Sequence, residues 1–190
     1  MRKYILLLLL FLASCSKNIE EGWQVLTIKE GQHRSAPWQL VHKQHDELSY
    51  KWRFDDSARY DLGDNDQLDW NKLTGLSYSL LNSHYNSAMV GWRYRLDEKT
   101  IELNAYYHIS KLRVYTLPLM EINVYDTFYT EIIPNTADST IIVRVSTATS
   151  TAEHSLKYNI SLAQDSREIW PWFGGNEKAP LDITLQRKPL

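Results

Sequence analysis

The fold is decided by residues 87–116, which read SAMVGWRYRLDEKTIELNAYYHISKLRVYT. Apolar and polar side chains alternate along this stretch, and β-branched and aromatic residues are frequent, as is typical of strands with one buried face. Two alternating runs, 87–96 and 101–108, are joined by the polar turn Asp97–Thr100, and a second turn at Ile109-Ser110 leads into a third run. The pattern therefore predicts a three-stranded antiparallel meander.

The register of this meander can be tested against its own side chains. A four-residue turn sets Leu96 opposite Ile101 and Arg95 opposite Glu102, whereas a three-residue turn sets Arg95 opposite Ile101 and mixes the two faces. The four-residue turn is therefore predicted, and it leaves one apolar and one polar face. The polar face carries Arg93, Arg95, Glu102, Asn104, Tyr106, His108, Arg113 and Tyr115.

Two interpretations of this polar face remain open. Guanidinium forks, an amide and flat aromatic rings are the groups that hydrogen-bond to sugar hydroxyls, pair with uronate carboxylates and stack on C–H faces. The alternative is a solvated sheet face with an ordinary cross-strand pair between Arg95 and Glu102. The first interpretation makes the face a candidate glycan-binding site.

The rest of the chain shows the same strand pattern. Alternating runs recur at Trp23–Lys29, Leu48–Phe54 and Leu181–Gln186, and no helical pattern of ten residues interrupts them. The stretch Asp64–Leu73 is predicted to be a polar loop with at most one helical turn. No linker or repeat divides residues 23–190, so we predict a single all-β antiparallel sandwich or barrel over this range.

The N-terminus has the pattern of an export signal. Residues 1–14 combine a short basic start with a compact apolar run, which is too short to cross a bilayer of roughly 30 Å as a helix. The ending Leu12-Ala13-Ser14-Cys15 resembles the lipobox of bacterial lipoproteins, the alternative being an ordinary signal peptide with a chance cysteine. We expect Cys15 to carry the lipid, including palmitate, and residues 15–22 to form the lipidated tether.

These features indicate where the protein lies and what it contacts. Because Ser16 and Lys17 follow the cysteine, the Asp that retains lipoproteins at the inner membrane is missing, and we expect anchoring in the bilayer of the outer membrane, facing either side. Loss of the leader lowers the Lys and Arg count from 21 to 19 against 23 acidic residues, which argues against nucleic-acid binding. We expect no cofactor or metal, since zinc spacings are absent and the acidic run 61–66 lacks EF-hand spacing.

Three segments carry a family resemblance. The segments 28–35, 82–92 and 172–180 (IKEGQHRS, NSHYNSAMVGW and WFGGNEKAP) resemble a group of uncharacterised bacterial lipoproteins. Their domain is similar to a concanavalin-like or jelly-roll β-sandwich, and this resemblance implies a jelly roll here. Met89 and Leu181 depart from the pattern of the group. The resemblance implies no activity.

Three classes of function follow. We favour a non-catalytic glycan-binding or surface-recognition module, with His84 at a sheet rim and Trp172 as further ligand-binding candidates. The second class is a polysaccharide lyase, which would use Arg93 with a histidine and Tyr106. The third is a structural subunit of an envelope complex, in which the same face contacts a protein.

The lipid anchor yields the first testable prediction. In cells grown with radiolabelled palmitate, the wild-type chain should be labelled and recovered with membranes. The variant Cys15→Ala should lose both properties, because the thiol is the only attachment point in a chain with one cysteine. Ser16→Ala serves as the neighbouring control. Continued labelling of Cys15→Ala would contradict lipidation at this residue.

Overall fold

The structure is a computed structural model that describes residues 21–37, 47–79, 85–159, 161–162 and 166–190. The predicted leader, Cys15, nearly all of the tether and His84 lie outside the described residues. The predictions made for them therefore stay predictions.

The described residues form thirteen β-strands and two short 3-10 helices. The strands are β1 Gln24–Ile28, β2 Ser35–Ala36, β3 Leu48–Phe54, β4 Asn71–Ser77, β5 Asn86–Arg95, β6 Thr100–Ile109, β7 Leu112–Tyr115, β8 Met120–Ile122, β9 Thr127–Asn135, β10 Thr140–Ser146, β11 Thr151–Lys157, β12 Arg167–Ile169 and β13 Ile183–Pro189. The 3-10 helices span Asp56–Ala58 and Asn65–Leu68. Within this part of the chain, no helix is long and apolar enough to cross a membrane.

The strands build two antiparallel sheets packed face to face. One sheet has seven strands in the order β11-β10-β9-β3-β13-β1-β2, and the other has six, in the order β12-β4-β5-β6-β7 with β8 paired to β6. Neighbours far apart in sequence, such as β3 beside both β9 and β13, give the crossed connections of a jelly roll. The predicted all-β jelly-roll sandwich is confirmed.

The core lies between the sheets and is rich in aromatic rings. Strand β3 alternates strictly, with Leu48, Tyr50, Trp52 and Phe54 turned inward. From the opposite sheet, the buried ring of Trp92 lies 4.9 Å from that of Phe54, measured between centroids. Large rings spaced about 5 Å apart fill a two-sheet core without disulfides.

The predicted register of the meander is wrong by two residues, although its faces are right. Arg93 lies opposite Glu102, and Arg95 lies opposite Thr100. The turn begins one residue earlier than predicted because Leu96 leaves the core and is 42% exposed. Lys99 closes the turn with a positive φ of 58° and donates its N–H to the Arg95 carbonyl at 2.8 Å.

The second turn of the meander is shifted in the same way. Ser110 and Lys111 form it, with φ values of 49° and 74°, and Ile109 pairs with Leu112. Positive φ at both central residues matches the twist of a two-residue hairpin. The shift preserves side-chain orientation because a slip of two residues leaves every side chain on its original face.

The region predicted as a polar loop contains an unpredicted strand. Its one helical turn is confirmed at Asn65–Leu68, but β4 begins at Asn71 and lies between β12 and β5, inside the six-stranded sheet. A bulge between Lys72 and Thr74 shifts the pairing. The bulge breaks the two-residue period, which hides this strand from a search for alternation.

Candidate functional site

The candidate site is the face of the six-stranded sheet that points away from the core, which we call the outer face. Antiparallel pairing aligns its side chains in rows across the strands. The first row is Arg167, Ser77, Ser87, His108 and Arg113. The second row is Ile169, Gly75, Met89, Tyr106 and Tyr115. The third is Arg34, Trp172, Lys72, Gly91 and Asn104, and the fourth includes Arg93 and Glu102.

The outer face brings together nearly all of the predicted site residues. Arg93, Arg95, Glu102, Asn104, Tyr106, Arg113 and Tyr115 share it, as predicted from alternation. Trp172 joins them because its backbone forms a bridge with Lys72 at the start of β4. Their role in ligand binding stays a prediction.

The centre of the face is buried, contrary to the expectation of a solvated surface. Tyr106 is only 4% exposed, and Glu102, Asn104 and His108 are also buried. Arg113 and Tyr115, on the edge strand β7, are exposed. Within the first two rows, the exposed side chains therefore lie on β7.

The two arginines of β5 are held by protein partners. The buried carboxylate of Glu102 accepts hydrogen bonds from Arg93 Nε at 2.6 Å and from Arg95 Nη1 at 2.9 Å. Arg95 also pairs with Asp97, and the Arg93 guanidinium lies 4.2 Å above the Trp70 ring. These ion pairs hold Arg93 and Arg95 against the sheet and use several of their N–H donors within the protein.

The second row forms a layered aromatic platform. Tyr115 stacks on Tyr106 with ring centroids 5.9 Å apart and an interplanar angle of 14°. Beneath it, Tyr106 packs with Met89 and Trp70 in a second small core, against which Ile169 lies. Tyr115 is 57% exposed, so it offers a flat ring that is held in place from below.

Lys72 is an unusual member of the face because it is a buried cation. It is only 7% exposed, its Nζ donates to the Gly174 carbonyl at 3.1 Å, and it lies 5.4 Å from the centre of the Tyr106 ring. Burial and then the charge of Arg113 lower the pKa of Lys72 to about 8, while Asp69 acts in the opposite direction. Sequence reasoning missed Lys72 because it missed β4.

Trp172 and the glycine loop form one border of the face. The Trp172 ring stacks on His33 at 5.1 Å, with Arg34 nearby at 5.4 Å. Gly174 has a φ of 65°, and a Cβ there would lie 2.2 Å from the Glu177 carbonyl oxygen. The tight bend is therefore sufficient to explain why a glycine is needed here.

Two of the predicted lyase residues, Arg93 and His108, lie far apart. Arg93 lies opposite Glu102, six residues along β6 from His108, which corresponds to about 20 Å of strand. The His108 Nδ1 is instead 3.0 Å from the Ser87 hydroxyl, and both residues are buried. Arg93 and His108 therefore lie far apart on the sheet, whereas His84, the other predicted histidine, lies outside the described residues.

Two other regions offer weaker sites. In the described part of the chain, no group of three His, Cys, Asp or Glu residues could hold a metal ion, and Asp61 and Asp64 cap the backbone N–H groups of Gly63 and Asp66.

An open groove of about 580 Å³ lies between residues 119–122 and 147–150. No aromatic ring lines this groove, so it lacks a stacking platform.

Comparisons with known proteins bear on the fold. No protein-family model and no curated protein matches this sequence. A functionally unknown protein from Saccharomyces cerevisiae superposes with a TM-score of 0.50 at 9% identity, covering 90% of this chain and 86% of that one. A heptameric SAP-like pentraxin from Limulus polyphemus superposes with a TM-score of 0.40 at 10% identity, covering 90% of this chain and 69% of that one. Winged bean acidic lectin, complexed with methyl-α-D-galactose, superposes with a TM-score of 0.44 at 8% identity, covering 90% of this chain and 89% of that one. At these identities the likeness concerns the fold alone.

The stacked tyrosines yield a stability prediction. Tyr106→Ala should lower the free energy of unfolding by about 3 to 5 kcal/mol, because it removes a buried ring from a packed cluster. Tyr115→Ala, its exposed neighbour, should cost less than about 1 kcal/mol. Urea denaturation of both variants measures the difference. Equal losses would contradict the layered arrangement.

The buried cation yields a pH-dependent prediction. The pKa of Lys72 falls to about 8 in the folded state. Above pH 8 the folded protein therefore loses this proton while the unfolded chain still holds it. The contribution of Lys72 to the free energy of unfolding rises with pH in that range. Lys72→Met should therefore be more stable than the wild type at pH 7. This advantage should shrink by about 1 to 2 kcal/mol at pH 9.5.

Chemical denaturation at the two pH values measures this change. Lys157 on β11 is exposed, so Lys157→Met is the matched control. The difference in free energy of unfolding between this variant and the wild type should not depend on pH. An unchanged Lys72→Met difference between pH 7 and pH 9.5 would show that the folded protein does not perturb this lysine.

Proposed function

We propose that this chain is a lipid-anchored envelope protein that binds glycans without catalysis, through the outer face of the six-stranded sheet. The observation that carries the proposal is the exposed Tyr115 ring stacked on the buried Tyr106. A ring fixed from below loses little conformational entropy when a sugar stacks on it.

Arg113 completes the platform. It lies two residues from Tyr115 on β7, on the same face, and is also exposed. A sugar stacked on Tyr115 would present its hydroxyl groups to the guanidinium, which donates up to five hydrogen bonds in one plane. Stacking and directed hydrogen bonds together give orientation as well as affinity.

The path of the tether is compatible with an anchored binder. Trp23, the first residue after it, contacts Lys51 and Arg53 on the outward side of β3, at ring-centre distances of 5.6 and 4.9 Å. The tether therefore meets the domain at the seven-stranded sheet. A membrane anchor at Cys15 would leave the opposite sheet accessible to a ligand.

A protein partner is the second candidate function. Among the strands of the described ranges, β7 pairs only with β6, and Leu112, Val114 and Leu117 are exposed beside it. An unpaired strand edge with apolar side chains suits the addition of a strand from another protein. This is the arrangement that a structural subunit would use.

A glycan-array screen of the full-length chain tests the favoured function. We expect binding to at least one glycan, and Tyr115→Ala should weaken it at least tenfold by removing the stacking surface. Tyr125→Ala, an equally exposed tyrosine at 55%, is the matched control and should bind normally. Binding unaffected by Tyr115→Ala would exclude this platform, and binding of a protein but no glycan would favour the second candidate.

A further inference from the structure

The outer face holds more positive charge than its own carboxylates neutralise. Glu102 is shared by Arg93 and Arg95, as described above. In the described part of the chain, no carboxylate lies within 4 Å of the cationic groups of Lys72 or Arg113. Among the described residues, neither cation is therefore neutralised by an ion pair.

The environment of Lys72 is unfavourable for an unpaired ammonium group. The group is buried, it has one neutral hydrogen-bond acceptor in the Gly174 carbonyl, and the like charge of Arg113 outweighs the opposite charge of Asp69. A desolvated cation without a counter-ion costs free energy that the fold must offset elsewhere. A bound anion would remove much of this cost.

The two cations converge on the same ring. Lys72 lies 5.4 Å from the centre of the Tyr106 ring. Arg113 lies close enough to the Tyr106 hydroxyl to lower its pKa through charge and hydrogen bonding, against the larger effect of burial, which raises it. Tyr106 in turn supports Tyr115. A charged sugar stacked on Tyr115 would therefore lie near both cations.

We propose that the outer face selects glycans that carry negative charge, with Lys72 and Arg113 binding a carboxylate or sulfate group and Tyr115 stacking on the sugar ring. This inference rests on the proposed glycan-binding function and adds the chemical class of the ligand. Carboxylate and sulfate groups both accept several hydrogen bonds from Arg and Lys, so the experiment must separate them.

The experiment uses the full-length chain and two pairs of glycans that differ only in charge. Polygalacturonate is compared with its methyl ester, and dextran sulfate with dextran, by calorimetry at pH 7 and 150 mM salt. We expect the charged member of at least one pair to bind at least tenfold more tightly than its neutral counterpart. The first pair reports carboxylate recognition and the second reports sulfate recognition.

Two variants locate the effect. Lys72→Met and Arg113→Gln should each weaken binding of the charged glycan at least tenfold. Lys157→Met makes the same charge change on the other sheet and should bind as the wild type does. Thermal melting checks that weaker binding does not come from unfolding. Both site variants should unfold at or above the wild-type temperature.

The outcomes separate the inference from the function on which it rests. Equal binding of charged and neutral glycans would overturn charge selection while leaving glycan binding intact. Equal weakening by Lys157→Met would indicate long-range attraction and would also overturn the site. No binding to any of the four glycans would overturn charge selection, and absence of binding across the glycan array as well would overturn the glycan-binding function.

Discussion

The hairpin of β5 and β6 is buried on both faces, and this constraint shapes the rest of the six-stranded sheet. Its inward side chains, such as Trp92, pack against the opposite sheet, while its outward polar groups lose water without reaching an apolar core. Buried polar groups need partners, because an unpaired one costs about 1 to 3 kcal/mol. Glu102 meets the constraint with two arginines, and Ser87 meets it with His108.

The same constraint explains why Gly91 is a glycine. Asn104 lies across from it, and a Cβ at Gly91 would come within 2.3 Å of the Asn104 Oδ1 atom. Asn104 uses its amide to donate to the Thr116 carbonyl, while its Oδ1 has no hydrogen-bond partner among the described residues. The centre of the outer face is therefore closely packed, and ligand contact is left to the edge at β7 and to the uncompensated charge of Lys72.

Much of this arrangement could be predicted from sequence, for a physical reason. Alternation over residues 87–116 assigns each side chain to a face, and a register error of two residues does not alter that assignment. This is why Arg113, Tyr115 and Tyr106 were predicted to lie together. Alternation within one stretch is a local signal, and it needs no knowledge of the rest of the chain.

The remaining features depend on contacts that alternation does not encode. The burial of Tyr106 comes from Trp70 and Met89, and the ion pairs of Arg93 depend on a register that only the turn fixes. Lys72 lies in a bulged strand that the two-residue period conceals. Sequence therefore predicted that Arg113, Tyr115 and Tyr106 share a face, but it missed Lys72 and did not show which of these side chains are exposed.

The central claim is that a ligand binds at the outer face beside β7. An NMR titration of the isotope-labelled chain with trigalacturonate tests it directly by following backbone amide signals. The account predicts shifts in β7 and at Lys72 and Tyr106, with β9 to β11 unchanged. Shifts confined to the seven-stranded sheet, or to the groove at residues 119–122 and 147–150, would contradict it.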